Sequence, residues 1–490
     1  MRSTLRLRLF DRYGSRSQIS DMDRVYRAGY SVPMNGNTVS TEVLIAGGGS
    51  VGLMLAVLLR HHGVKPLVVE EKPKLSPHPR ATGIGPRSME ILREVGLDRA
   101  VDEAAVDLRA GKIRGRTLAE ADFTEGVEWK RKTAAELTYT PARIRGTCGQ
   151  NLLDRVLLTK AGDVELGVAL ESFEQDSGGV TATLSDGRVV RARYLVAADG
   201  VRSRVRQILG VGLTGPGAIG RETTSILFRA DLHPSEPFAM CNIEHPDATG
   251  LLVTVDGERE WVYLTALDTE PTPDLIRTAL GDPSIEVEIR SVLRFRGRGQ
   301  VADRLCVGRV FLVGDAAHAI PPLGAFGLNT GLADAHNLAW KLAHVLRGEA
   351  GPELLETYHT ERHPVALMTM NQAHLRFNDP ALHWGKDMAQ ARKAAGAINA
   401  PVVHLGYRYG GAELPSTEDI TLDLDGSPGS RLPHMWVTDG VSTLDLVASQ
   451  WCVLTADPDV KADVPVHFVA GWPYGTVLVR PDGFVSRPYR

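Results

Sequence analysis

The chain has 490 residues and a mass of 53.1 kDa, enough for two to four domains at roughly 100–200 residues each. Hydrophobic residues make up 43% and charged residues 23%, which excludes disorder, collagen or coiled coil as a description of the whole. Fifty-five basic against 59 acidic side chains leave a net charge of −4, so no global basic surplus points to nucleic acid or an anionic membrane. The four cysteines, Cys148, Cys241, Cys306 and Cys452, form no Cys-x-x-Cys pair. That spacing argues against zinc or dithiol chemistry and fits a reducing, cytoplasmic compartment.

Residues 1–41 carry seven arginines, three aspartates and no lysine, and are expected to form a disordered leader. Val43–Leu59 is free of charge but falls just short of the ~18 residues of a spanning helix. Glycines interrupt it, so no membrane segment is expected. Glu42–Ala46 is a short apolar run that predicts a buried strand. Residues 50–62 predict a helix stopped by Gly63, and 66–70 a second strand. This is a βαβ opening, in which buried parallel strands appear as continuous apolar runs. A helix is expected over 86–95, irregular chain over 101–145, and a helix over Gln150–Ala161. Val180–Leu184 and Val189–Val196 flank Ser185-Asp186-Gly187, a hairpin signal. Strand-like segments at Ser225–Arg229, Leu251–Val255, Trp261–Leu267 and Val287–Phe295 predict a mostly antiparallel sheet. Val310–Val313 is another buried strand. A Gly- and Pro-rich loop (314–331), a helix to about 347 and helical pattern over 352–395 follow. Short strands at Trp451–Thr455, Val464–Val469 and Gly475–Val479 complete the tail.

The first chemical motif is Gly47-Gly48-Gly49-Ser50-Val51-Gly52, a G-x-G-x-x-G between a strand and a helix. Small residues there let the backbone approach a pyrophosphate, and the helix N-terminus offers free N–H groups to it. Glu70, followed by Glu71, ends the next strand at the spacing expected of a carboxylate that accepts the ribose hydroxyls. Its charge disfavours a 2′-phosphate at this site. The motif alone does not separate FAD from NAD. The second motif is Arg309–Gly331, RVFLVGDAAHAIPPLGAFGLNTG. Gly314 and Asp315 end a strand and place a carboxylate where it can bond a polyol. Pro321 and Pro322 stiffen a turn, and Gly324 and Gly327 let the loop pass close to a flat ring. The following helix directs the N–H groups of Leu328 and Asn329 at that ring, a positive end suited to the anionic edge of a reduced flavin.

This loop resembles that of the group A flavoprotein monooxygenases, the para-hydroxybenzoate hydroxylase and phenol hydroxylase superfamily. In that family the Gly-Asp pair binds the FAD ribityl chain, and the P-P-x-G…G-L-N loop binds the isoalloxazine. Asp199-Gly200-Val201-Arg202-Ser203-Arg204-Val205-Arg206 matches the family's D-G-x-x-S-x-x-R pattern, which implies that Asp199 and Arg206 support FAD and NAD(P)H. His78-Pro79-Arg80-Ala81-Thr82-Gly83 resembles the stretch whose arginine contacts the FAD pyrophosphate. Gly149-Gln150-Asn151-Leu152-Leu153 resembles a helix start whose glutamine contacts the flavin, with Asp154 where glutamate is frequent. Pro428–His434, Ser442–Leu446 and Leu478–Gly483 resemble the thioredoxin-like tail of phenol and actinobacterial aromatic-polyketide hydroxylases. With Cys452 its one cysteine, the tail is expected to pack or to support a homodimer.

The resemblance implies an α/β fold with a discontinuous Rossmann-like FAD-binding domain (42–210 and 300–395). A substrate-binding β-sheet domain (211–299) and a thioredoxin-like C-terminal domain (396–490) accompany it. It implies a monooxygenase that uses NADPH or NADH and O2 to hydroxylate a phenolic or polycyclic, polyketide-like aromatic through a flavin C4a-hydroperoxide, which Pro321, Pro322 and Gly324 shield. A Baeyer–Villiger oxygenase acting on a polyketide ketone is the alternative. No catalytic acid or base is assigned and no metal is expected. His61 and His62 are helix neighbours that do not face one site. His318 is available as a base or, more simply, as a residue that structures the loop.

Overall fold

Apolar runs that alternate with helical stretches must stack into a sheet covered on both faces. The computed structural model describes residues 38–490 apart from 108–109, 124–137, 143, 145, 235, 267, 269, 385–387, 411–421, 423 and 490. Most of the expected leader lies outside the described residues, but its last four belong to the fold. The first strand is Thr38–Ala46, and Thr38, Val39, Ser40 and Thr41 pair in parallel with Val189, Val190, Arg191 and Ala192. This half of the strand has no buried residue, so no apolar run marks it.

The first sheet runs Cys306–Val307, Val310–Leu312, Val189–Ala197, Thr38–Ala46, Leu67–Glu70, Val164–Leu166. From Val310–Leu312 to Val164–Leu166 every pairing is parallel. The hairpin Leu170–Asp176/Gly179–Leu184 adds antiparallel strands, and the expected Asp-Gly turn joins it to Val189–Ala197, with Gly187 at φ 84°. The Ser50–His61 helix is almost wholly buried because the Gln150–Ala161 and Phe326–Leu346 helices enclose it. From Thr38–Ala46 the next strand lies on one side and Val189–Ala197 on the other. Such a reversal opens a crevice at the carboxyl ends of the strands, the usual ligand edge of an α/β sheet.

The second sheet runs His318–Ala319, Glu288–Ala302, Leu213–Arg229, Glu260–Thr265, Gly250–Thr254, Phe238–Ile243, Ala110–Gly115. It is antiparallel except at its last pair. Ala110–Gly115 corrects the irregular reading of 101–145 and places a sheet strand outside 211–299. As a polar edge strand, Ala-Gly-Lys-Ile-Arg-Gly lacks an alternating apolar signal. Phe238–Ile243 and the Pro273–Leu280 helix were likewise not expected. The helix covers one face, packing with Ile226, Phe228, Trp261 and Tyr263. The other face meets the first domain. His78 lies 2.7 Å from Ser225 Oγ and 3.1 Å from Ser291 Oγ, and Ala302 N–H donates to Ala317 O at 2.7 Å. The Phe326–Leu346 helix begins inside the expected loop 314–331, and Glu353–Asn378 forms a long helix after it.

The tail carries a four-stranded mixed sheet, Val466–Phe468, Cys452–Thr455, Val477–Val479, Val485–Pro488, over Leu432, Val447, Leu454 and Trp472. Its motif residues are spent on docking. Arg431 pairs through Nη2 and Nε with the buried Glu90, which also receives Arg87 Nη1 at 3.0 Å and Thr140 Oγ1 at 2.7 Å. Arg480 forks onto Glu361 (2.7 and 2.9 Å) and Asp482 (3.0 and 2.7 Å), and Lys341 Nζ reaches Glu361 at 2.7 Å. Burial pushes the Glu90 carboxyl up, but Arg431 and Arg87 overcome it and hold the group below the ordinary carboxylate range. Removing Arg431 leaves the buried Glu90 with Arg87 as its remaining cation. Arg431→Ala is expected to lower stability by about 3–5 kcal/mol, measured by denaturant unfolding. A loss under about 1 kcal/mol would mark the pair as no stronger than a surface contact.

Candidate cofactor site

Each glycine of the first motif has its own geometric reason. Gly47 sits at φ 114°, and a Cβ there would collide with the Ala198 carbonyl. A Cβ on Gly52 would collide with Gly47 O, so strand and helix meet through bare backbone. Gly49 is different: a Cβ would find nothing within 4 Å. Gly49 faces open space as the N-cap of Ser50–His61, and no side chain caps that helix. The first-turn N–H groups are therefore left for an anion. Glu70 accepts Gly48 N–H at 2.7 Å and Lys72 N–H at 3.1 Å, so its carboxylate is locked to the glycine turn. Glu71 is exposed one residue on, and no contact brings it to that turn among the described residues.

Arg80 and Gln150 lie across the crevice. Gln150 N–H donates to Ala81 O at 2.8 Å and Cys148 N–H to Thr82 O at 3.0 Å, which seats the Arg80 segment on the start of the Gln150–Ala161 helix. Arg80 is exposed, and its charge acts on Asp154, Asp315 and His78 at once. That places a cation above both fingerprints. The Ser50 hydroxyl bonds the buried Asp154 carboxyl. Val51 is a spacer: a Cβ on Gly314 or Gly331 would come within 2.9 or 2.6 Å of Val51 Cγ2. The two glycines bring the second fingerprint onto the first.

Asp199 accepts Val205 N–H at 3.1 Å through Oδ2, while its Oδ1 is buried with no partner. Burial pushes the carboxyl up, against hydrogen bonds from Ser203 and Val205 that pull it down. An orphaned buried oxygen calls for a donor that a ligand can bring. Arg206 has a structural task of its own. Its Nη1 donates to Ala316 O at 2.8 Å and its Nη2 to Val201 O at 3.0 Å, so it braces the Asp315 loop. Asp315 is exposed to the crevice floor but hemmed in by protein. Burial raises its pKa, opposed by His318 and Arg80.

The loop after Asp315 is held from behind. The wholly buried Asp334 accepts Gly314 N–H at 3.2 Å and Arg362 Nε–H at 2.8 Å, and lies 2.6 Å from His318 Nε2. His318 is thus tied to loop structure. Pro321 is buried, Pro322 exposed, and Gly324 takes φ 94° with the Phe326 ring where a Cβ would sit. Ala325 is left-handed at φ 54° and caps the Phe326–Leu346 helix without a side-chain bond. Gly327 and Leu328 in its first turn remain half-exposed. The Asn329 side chain does another job. Its Oδ1 accepts Gly85 N–H (2.7 Å) and Ser88 Oγ–H (2.6 Å), and its Nδ2 donates to Gly83 O (3.1 Å) and Ala325 O (2.5 Å). Its side chain is thus spent on the loop. Asp334, Arg362 and His78 were not singled out as site-building residues. Asp334 alone carried a signal, as a carboxylate on an apolar helix.

The arrangement fits a flavin dinucleotide: an open glycine over a free helix N-terminus, an unsatisfied Asp199, a crevice-facing Asp315 and an overlying arginine. A family model described as FAD binding domain matches residues 40–373. The chain belongs to this family. It is 37% identical to the tetracenomycin B2 monooxygenase-dioxygenase of Streptomyces olivaceus over 91% of this chain and 95% of that one. It is 34% identical to the aklavinone 12-hydroxylase RdmE of Streptomyces purpurascens, over 92% of each. Among solved structures it is similar to RebC with bound 7-carboxy-K252c (TM-score 0.78, 32% identity, 92% and 96% coverage). A ternary complex of aklavinone-11 hydroxylase with FAD and aklavinone gives a TM-score of 0.76 at 32% identity, with 92% and 96% coverage. In the FAD-binding protein, Asp315→Ala removes a charged acceptor worth ~1.5–3 kcal/mol. FAD affinity should fall roughly ten- to 150-fold, read by flavin fluorescence on dilution. Unchanged affinity would reject Asp315 as a polyol ligand.

Proposed function

We propose that the chain is an FAD-dependent monooxygenase that uses NADPH or NADH and O2 to hydroxylate a phenolic or polycyclic aromatic substrate. One observation carries this beyond cofactor binding: an apolar sheet face closes the cofactor crevice. Directly paired residues of neighbouring strands share a face. One row is Leu227, Val262, Val253 and Met240, and the next is Leu293, Ser225, Leu264, Leu251 and Asn242. His78 takes up Ser225 and Ser291 on this same face, and a Cβ on Gly149 would lie 3.6 Å from Val255 Cγ1. Few polar groups remain, which suits a flat, weakly polar ring system. The relatives named for tetracenomycin, aklavinone and 2,4-dichlorophenol support the same reading.

Bound FAD would supply hydride acceptance from the nicotinamide and the activation of O2. The chain's residues would orient and enclose it. Gly49 and the Ser50–His61 N-terminus would receive the pyrophosphate with Arg80 above. Glu70 would hold the ribose, and Asp315 the ribityl chain. The first-turn N–H groups over Gly327–Asn329 would face the electron-rich edge of the ring. The Pro321–Gly324 turn would keep water from the reacting centre, and the sheet rows would hold the substrate ring against it. We read 211–299 as the body of the substrate sheet, with Ala110–Gly115 and His318–Ala319 added at its edges and its Glu288–Ala302 strand running past 299. The tail is read as a thioredoxin-like packing unit. It has no dithiol, and burial pushes its one thiol, Cys452, up to about 12.

No helix of the described residues is long and apolar enough to cross a membrane, and no metal-binding group of His, Cys, Asp or Glu occurs among them. The test is NAD(P)H oxidation across a panel of phenols and polycyclic aromatics under labelled O2. The expected outcome is substrate-stimulated oxidation with one labelled oxygen in a hydroxylated ring. A labelled lactone or ester would replace hydroxylation with Baeyer–Villiger chemistry, and peroxide without product from every substrate would reject the reading.

A further inference from the structure

We propose that Ser50 and Asp154 form a proton-controlled latch under the dinucleotide cradle, and that FAD is held tightly only by the form in which Asp154 carries a proton. The inference rests on the cofactor assignment and is independent of the reaction that follows. Ser50 is the first residue of the Ser50–His61 helix and is 2% exposed; Asp154, in the first half of the Gln150–Ala161 helix, is 5% exposed. A hydrogen bond between Ser50 Oγ and Asp154 Oδ1 joins them across the helix interface. Gly49, the N-cap, brings no side chain, so the Ser50 hydroxyl is the side-chain polar group set into the free helix N-terminus.

A serine hydroxyl has one proton to give and two lone pairs to offer. An ionised Asp154 is an acceptor only, so it accepts the Ser50 O–H and leaves Ser50 presenting lone pairs. A phosphate oxygen is repelled by that arrangement. A protonated Asp154 donates to Ser50 Oγ instead and frees the Ser50 O–H for the phosphate. Charge acts in the same direction. The groups that face Asp154 are Ser50, Arg80, Glu70 and Cys148. An ionised Asp154 adds to Glu70 and the incoming pyrophosphate, with Arg80 alone against them. Burial pushes the Asp154 carboxyl up to about 7, opposed by Ser50 and Arg80 and aided by Glu70, which puts the exchange in the physiological range. Gly49's open side shows where the anion would stand, and it would raise this value further. FAD binding is therefore coupled to proton uptake.

The sign follows. Below about pH 7 both the free and the FAD-bound protein hold the proton, and affinity is constant. As pH rises through about 7, the free form loses it first, and affinity falls by up to about tenfold per pH unit. FAD release from the full-length holoprotein, read as flavin fluorescence on dilution between pH 5.5 and 9, should show this profile. Asp154→Asn supplies a donor to Ser50 at every pH and should hold the low-pH affinity flat to pH 9. Ser50→Ala should bind FAD more weakly at pH 6 and lose most of the slope. A flat wild-type profile between pH 6 and 9 would overturn the latch whatever the variants do, as would an Asp154→Asn profile that keeps the wild-type slope. Failure to bind FAD at every pH would instead overturn the cofactor assignment beneath it.

Discussion

The cofactor crevice depends on one buried carboxylate. Asp334 lies in the interior of the Phe326–Leu346 helix, where an unpaired charge would cost several kcal/mol. It is tolerated because three donors reach it from three places: Gly314 N–H at the strand end, His318 in the loop, and Arg362 on the Glu353–Asn378 helix. Arg362 in turn donates to Thr330 O and Tyr409 Oη, both at 3.1 Å. The conformation of Asp315 and of the turn after it is thus set from behind by a network that never touches the crevice. Asn329 does the same on the other side of the loop, where all four of its side-chain hydrogen bonds tie Ala325 to the 83–88 segment. Left-handed Ala325 can be held in a strained conformation because both flanks of the turn are fixed.

The same logic explains the tail's sequence motifs. Arg431, Arg480 and Asp482 stand in conspicuous Pro- and Gly-rich contexts, yet none of them reaches the cofactor crevice. They fasten the tail to the Pro86–Glu94, Phe326–Leu346 and Glu353–Asn378 helices. Two of these helices also hold the flavin loop, so the tail is coupled to the crevice through shared supports. Its own sheet needs no chemistry to be retained.

How much was legible depended on the range of each constraint. The need for glycine at Gly47, Gly52 and Gly314 was readable because a tight turn or a close approach leaves its mark in a few adjacent residues. The Gln150–Ala161 helix and the Asp-Gly hairpin were readable for the same reason. Ala110–Gly115 was not, because Ala-Gly-Lys-Ile-Arg-Gly, an edge strand, has no periodicity to detect. Thr38–Thr41 was hidden by exposure. The bracing task of Arg206 was not legible, because one of its two acceptors, Ala316 O, lies 110 residues away in the chain. Arg362 lies 28 residues from Asp334 across a helix pair, and nothing local distinguishes it from a solvated charge.

Acids enclosed by protein now divide into two populations, and the division is itself an argument for where a ligand belongs. Glu90, Asp334 and Glu361 are as deep as any group in the chain, yet each is held below the ordinary carboxylate range because cations outweigh its burial. They are finished interactions, and adding a ligand would improve none of them. Asp154, Asp199 and Asp315 are pushed the other way, since burial is the largest influence on each and the partners at hand fall short. Asp154 and Asp315 share the charge of Arg80, and Asp199 follows the Ala198 carbonyl that meets Gly47. A fold that neutralises its scaffold acids so thoroughly has no structural reason to leave three neighbours uncompensated. Their shared deficit is what a polyol and a pyrophosphate, bringing hydroxyl donors to two of them and an anion near the third, would resolve or exploit.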